Sequence, residues 1–153
     1  MRWFSDLISN PFLITALSSW AVAQILKVFI HAAVNRTWDL HRLFGDGGMP
    51  SGHSATVASL ATAAALARGT ASFEFALAAV LAIIVCHDAM GVRLETGKQA
   101  ALLNDIVDAF NLISSKDLPA EKLKEFVGHT PVQVYAGAIL GIFNALILHP
   151  FLF

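Results

Sequence analysis

Three short stretches of this 153-residue chain hold residue types whose spacing could do chemistry. The first is Gly47-Gly48-Met49-Pro50-Ser51-Gly52-His53-Ser54. Glycines lead into a Pro-Ser-Gly-His step that opens a long helix-forming run. A helix N-terminus has unpaired N–H groups and the positive end of a dipole, which suits a phosphate. Ser51 can cap that helix or bond a phosphate oxygen. The Gly52 backbone can approach the same oxygens. His53, in the first turn, can donate a proton to a leaving oxygen. The plainer reading is a glycine loop before a capped helix, with an incidental His.

The second stretch is His87-Asp88-Ala89-Met90-Gly91-Val92-Arg93, followed by Gly97-Lys98-Gln99. Asp88 ends an apolar run, where a charge is costly unless paired or functional. Arg93 suits bidentate phosphate contact and Lys98 a point-charge contact. The plainer reading is snorkelling of both cations to an interface. The third stretch runs from Lys122 through Lys124 to His129-Thr130-Pro131-Val132-Gln133. Gln133 lies one helical turn beyond His129, where it can bond the ring and fix its tautomer. Alone, His129 reads as an ordinary interfacial histidine.

The elements that must position these residues are membrane helices. The chain is 56% hydrophobic and only 14% charged, with mean hydropathy +0.65. Soluble domains carry about 25% charged residues, so an ordinary soluble domain is excluded. The net charge of −1 offers no basic surface for nucleic acid, and the lone Cys86 forms no intrachain disulfide. Leu7–Leu26, Gly47–Ala67 and Phe126–Phe153 contain no Asp, Glu, Lys or Arg. A membrane helix needs about 20 mostly apolar residues. The expected fold is all-α, a single integral membrane helical bundle over 1–153. Its four transmembrane helices lie near 10–31, 52–68, 72–90 and 131–150, with a polar amphipathic region over 93–125 that includes an interfacial helix. The Asp117–Glu121 stretch reads as a turn opening another short helix. The Ala, Ser and Thr of the second span suit a helix packed among others. Gly137 and Gly141 form a GxxxG pair, a close-packing sign equally compatible with a homodimer. Arg2 and the Ala21-Val22-Ala23 step imitate a signal peptide, but Asp6 and the apolar run through Phe29 favour a retained helix.

Alternating spans put the Asn35–Ser51 loop and the Arg93–Glu125 region on one side, with both termini and the Arg68–Ser72 turn on the other. That face carries Arg36, Arg42, Arg93, Lys98, Lys116, Lys122 and Lys124, with Lys27 near it; the other carries only Arg2 and Arg68. The positive-inside rule places the richer face in the cytoplasm. His53, Arg93, Lys98, Lys124 and His129 thereby meet at one membrane face. Two histidines and several cations fit phosphoryl transfer, with one His attacking phosphorus and the other protonating the leaving alcohol.

Pro50-Ser51-Gly52-His53 matches the central motif of the type 2 phosphatidic acid phosphatase superfamily, which includes vanadium haloperoxidases. Together with Ala23–Lys27, Asp88–Gln99 and Leu123–Gly137, the chain resembles the small, divergent membrane branch of that superfamily along nearly its whole length. The resemblance implies that His129 is the nucleophile and forms a phosphohistidine, and that His53 is the general acid. The superfamily's first motif, a Lys followed after six residues by Arg-Pro, has its nearest match in Lys27 and Arg36 at another spacing. The Arg expected six residues before the nucleophile falls on Leu123, beside Lys124. The Asp expected four residues after it is Gln133, whose carbonyl oxygen can accept from imidazole but adds no negative charge. Asp88 is the candidate for part of that charge.

The first expectation is therefore a lipid-phosphate phosphatase acting on a phosphomonoester or diphosphate. Its catalytic set is His129, His53, Gln133 and Asp88. Its phosphate-binding set is Ser51, Gly52, Arg93, Lys98, Lys124 and Lys27. It requires no cofactor. The alternative is a non-catalytic lipid-phosphate binder or transport-associated protein on the same scaffold. A third reading uses Asp88, Glu95 and Asp105 with Mg²⁺, which prefers carboxylates together with substrate phosphates.

Overall fold

The structure is a computed structural model that describes residues 2–39, 47–113, 121–125 and 128–153. All its regular elements there are helices: α1 (Arg2–Ile8), α2 (Pro11–Asn35), α3 (Gly52–Arg68), α4 (Phe73–Met90), α5 (Val92–Ile113) and α6 (Pro131–Leu152). Local chemistry sets the boundaries. Asn10 caps α2, its side chain accepting from Phe12 N at 3.0 Å and Leu13 N at 3.2 Å, and Pro11 fills the first position where no N–H is needed. Ser51 caps α3, Ser72 caps α4, and Thr130-Pro131 opens α6. Gly69 and Gly91 end α3 and α4.

Helix α3 is the hub and packs against α2, α4 and α6. Its Ala and Ser side chains let neighbours approach closely, and Ala55, Ser54 and Ser59 are fully buried. The tightest crossing is with α6. A Cβ at Gly137 would collide with the Ser51 carbonyl oxygen, and one at Gly141 with that of Ala55. Both glycines are thus spent inside the chain, on the α3 backbone. Deeper in the bundle, Asn144 Nδ2 on α6 donates to Ser19 Oγ at 2.7 Å and Ser18 Oγ at 2.9 Å on α2. Such interhelical bonds are adhesive where no water competes.

Three helical stretches are long and apolar enough to cross a membrane: Pro11–Asn35, Phe73–Ile113 and Pro131–Leu152. The 17-residue α3 falls outside that set. Its neighbours shield it from lipid, so it needs no apolar coat. Its direction follows from its ends. Pro11 and Phe12 of α2, Arg68 of α3 and His149 of α6 share one cavity, while Lys27, Gly48 and Gln133 share another. Helix α2 thus runs antiparallel to α3, and α3 parallel to α6.

One helix was not expected, and another occupies the expected polar region. Helix α1 is additional; it buries no residue, and its seven residues left no periodic signal. Helix α5 follows α4 after Gly91 alone, and of its residues only Gly97, Ala100 and Asn104 are buried. Residues 114–120 lie outside the description, as do Arg42 and Lys116, while 121–125 are not helical. Segment 121–125 is tied to α5 by Asn104, which donates to Leu123 O at 3.0 Å and Glu125 Oε1 at 2.7 Å and accepts from Leu123 N at 2.9 Å.

Candidate functional site

His53 stands in the first turn of α3 because Ser51 caps that helix. The Ser51 hydroxyl accepts from Ser54 N at 3.3 Å and Ser54 Oγ at 3.0 Å. Ser51 N–H donates to Gln133 O at 3.0 Å, which joins the start of α3 to the first turn of α6. The Met49–Pro50 peptide is cis. Across from His53, His129 immediately precedes the Thr130 cap of α6. Its own N–H donates to Ala89 O at 3.0 Å, anchoring it to the end of α4. Gly128 has φ +87°, and a Cβ there would sit 2.6 Å from the Arg93 carbonyl carbon. Only glycine tolerates both the left-handed backbone and that approach.

The His129 ring is 3% exposed. Its Nδ1 lies 3.1 Å from Gln133 Oε1, which also accepts from Thr130 N at 3.2 Å. A backbone N–H only donates, so the Gln133 atom facing both groups is the carbonyl oxygen. His129 Nδ1 must then carry the proton, leaving the lone pair on Nε2.

His53, Asp88, Arg93, Gly128 and His129 line one cavity of about 220 Å³, with Ile84 and Val85 of α4 completing the wall. Arg93 Nε donates to Asp88 Oδ2 at 2.7 Å. This contact uses one edge of the guanidinium and holds its plane, leaving the terminal N–H groups to meet an anion. Ile84 is 59% exposed and belongs to the apolar face of α4, so the cavity has a wall that faces lipid. The arrangement can hold an oxyanion between two imidazoles and a guanidinium beside an apolar chain.

Other candidates stand apart. Lys98 Nζ bonds Glu95 Oε1 at 2.7 Å on exposed α5 and does not line the cavity. The cause is the i,i+3 spacing, which favours the local pair. Lys124 is exposed outside the cavity. Ser51 and Gly52 are buried and do not line it, Ser51 serving as a cap and Gly52 packing against Trp20 and Gln24. Lys27, 4% exposed, lines a second cavity of about 290 Å³ with His31, Gly48 and Gln133. Gln133 thus stands between Lys27 and His129. Exposed His87 lies outside both cavities. Among the described residues, no three of His, Cys, Asp and Glu gather as a metal site. Asp88 is paired with Arg93 and Glu95 with Lys98.

Sequence reasoning missed the Ala89 carbonyl, Gly128 and the Ile84–Val85 wall. Gly128 had a readable signal, a glycine next to a polar His-Thr-Pro helix start. A backbone carbonyl and a lipid-facing wall have none.

Residues 8–144 match the Divergent PAP2 family. The chain is 40% identical over 152 residues to the uncharacterized membrane protein YuiD of Bacillus subtilis (strain 168), covering 94% of this chain and 96% of the relative. No solved structure matches. With its all-helical membrane bundle and a Pro-Ser-Gly-His step facing a second histidine, the chain belongs to the Divergent PAP2 family.

Proposed function

We propose that this protein is a membrane lipid-phosphate phosphatase working through a phosphohistidine at His129. The observation that carries the reading is the shared cavity: His53 and His129 reach it from α3 and the start of α6, with Arg93 beside them and an apolar wall on α4. The His129 Nε2 lone pair attacks phosphorus. The bond from phosphorus to the lipid oxygen breaks, and His53 gives its proton to that oxygen. Water then attacks the phosphohistidine, His53 takes a proton from it, the N–P bond breaks and inorganic phosphate leaves. Arg93 binds the phosphoryl oxygens and Asp88 holds Arg93. The Gln133 carbonyl supports the Nδ1–H of His129 as positive charge develops. The lipid tail lies along Ile84 and Val85, and the phosphate comes from the cytoplasmic leaflet.

The test is phosphate release by purified protein from a panel of lipid monophosphates and diphosphates. General acid–base catalysis contributes about 10²–10⁴-fold, so His53→Ala is expected to lose that much, and His129→Ala to lose detectable turnover. Release that survives both substitutions sinks the assignment. A second reading, a non-catalytic lipid-phosphate binder, is favoured by the neutral Gln133 behind His129. Binding of the same lipids without turnover, with or without divalent metal, would select it.

A further inference from the structure

The opposite end of the bundle carries a cavity that the proposed reaction does not use. Its volume is about 370 Å³, and Pro11 and Phe12 of α2, Arg68 of α3, and His149 and Phe153 at the end of the chain line it. With α3 rising about 1.5 Å per residue, Arg68 lies about 22 Å along the helix from His53, at the other end of the bundle.

Three features of this cavity point to an anion. The Arg68 guanidinium sits 5.8 Å from the centroid of the Phe12 ring, and among the described residues no carboxylate pairs with it. Stacking on a ring leaves the in-plane N–H edge of a guanidinium available. His149 is held by its own stack on Phe153, with ring centroids 5.2 Å apart and an interplanar angle of 26°. Its Nδ1 is buried and has no hydrogen-bond partner, an arrangement that costs stability until a partner arrives. A cation, a ring with an unmet polar atom and two aromatic faces thus share one cavity. An oxyanion answers the cation, and apolar chain suits the aromatic faces. Depth narrows the source. Helix α1 precedes this end with Trp3, at 69% exposure, and Phe4 turned outward, the aromatic marking of a headgroup region.

We propose that Arg68 and His149 form a binding site for the phosphate of an anionic phospholipid in the leaflet opposite the His53–His129 cavity. The Arg68 fork holds the phosphate oxygens, the stacked His149 ring forms the wall beside them, and the acyl chains descend past Phe12. The site is independent of the proposed phosphatase reaction.

The test uses the full chain purified in a neutral detergent. Its thermal midpoint and lipid retention by native mass spectrometry are measured with phosphatidylglycerol, phosphatidylcholine or inorganic phosphate added. Phosphatidylglycerol is expected to raise the midpoint and stay bound, and phosphatidylcholine to do neither. A hydrogen bond to a charged group is worth about 1.5–3 kcal/mol, so Arg68→Gln is expected to weaken retention at least about tenfold. His149→Phe, which keeps the stack, is expected to weaken it less. Lys122→Gln, at an exposed cation paired with Asp108 away from the described cavities, is expected to leave retention intact. A midpoint rise with inorganic phosphate alone, lost in Arg68→Gln, would identify free phosphate as the occupant. Retention lost in Lys122→Gln but kept in Arg68→Gln overturns the proposal, as does equal retention of the neutral lipid. If Arg68→Gln does not fold, Arg68→Lys, which keeps charge but not the fork, decides through the same ratio; retention equal to wild type then counts against the site.

Discussion

At the scale of single residues, the informative group is Gln133, which stands where the superfamily's pattern places a carboxylate. Its carbonyl oxygen takes both the Thr130 N–H and the His129 Nδ1–H. A neutral acceptor can therefore set the tautomer of the proposed nucleophile, and what it lacks is charge to oppose the imidazolium that the proposed reaction would develop. The two contributions separate experimentally. Gln133→Ala leaves a buried donor without its acceptor, which costs about 1–3 kcal/mol, and phosphate release is expected to fall about tenfold or more. Gln133→Glu keeps an acceptor and adds charge, so release should equal or exceed wild type. If release is the same in Gln133→Ala as in wild type, His129 is not the group being oriented. The contrast with Lys98 is instructive. Its type invited a phosphate role, yet Glu95 three residues earlier already offers a local partner. Residue type was legible in the sequence, whereas the direction of a long side chain was not.

At the scale of elements, the site depends on how closely α6 lies on α3. Gly137 and Gly141 bring the two backbones into contact at Ser51 and Ala55. Ser51 N–H then reaches Gln133 O, so the cap of α3 and the support of His129 are one construction. A methyl at Gly137 has backbone on its far side and cannot be absorbed by a rotamer change. Overpacking of this kind costs about 1–3 kcal/mol. Gly137→Ala is expected to lower the thermal midpoint in detergent and to reduce phosphate release with it. Ile142→Ala, on the outer side of the same helix, should change release little. Unchanged stability and release in Gly137→Ala would show that the α3–α6 contact does not set the site. Helices α2, α3, α4 and α6 were readable from charge-free runs, and the start of α3 from its cap at Ser51. Both properties are local in sequence. The contribution of Ala89 and Gly128 was not readable, since it depends on the end of α4 meeting the start of α6 across the fold.

At the scale of the whole molecule, charge placement and helix direction together predict which leaflet the proposed site would serve. Lys27, Arg36, Arg93, Lys98, Lys122 and Lys124 lie at or beyond the helix ends that hold His53 and His129, while Arg2 and Arg68 belong to the opposite end. Short loops rich in Lys and Arg stay in the cytoplasm during insertion. The His53–His129 end is accordingly expected to face the cytoplasm, and its substrate to come from the inner leaflet. A Cys86→Ser background removes the lone native thiol. In it, Thr70→Cys probes the turn between α3 and α4, and Lys122→Cys probes the segment before α6. A membrane-impermeant thiol reagent is expected to label the Thr70→Cys chain in intact cells, and the Lys122→Cys chain only after permeabilisation. The reverse pattern would move the proposed substrate to the outer leaflet and the Arg68–His149 cavity to the inner one. Both sites would keep their chemistry, because it rests on the bundle's internal geometry. Only the supply of lipid to each would change.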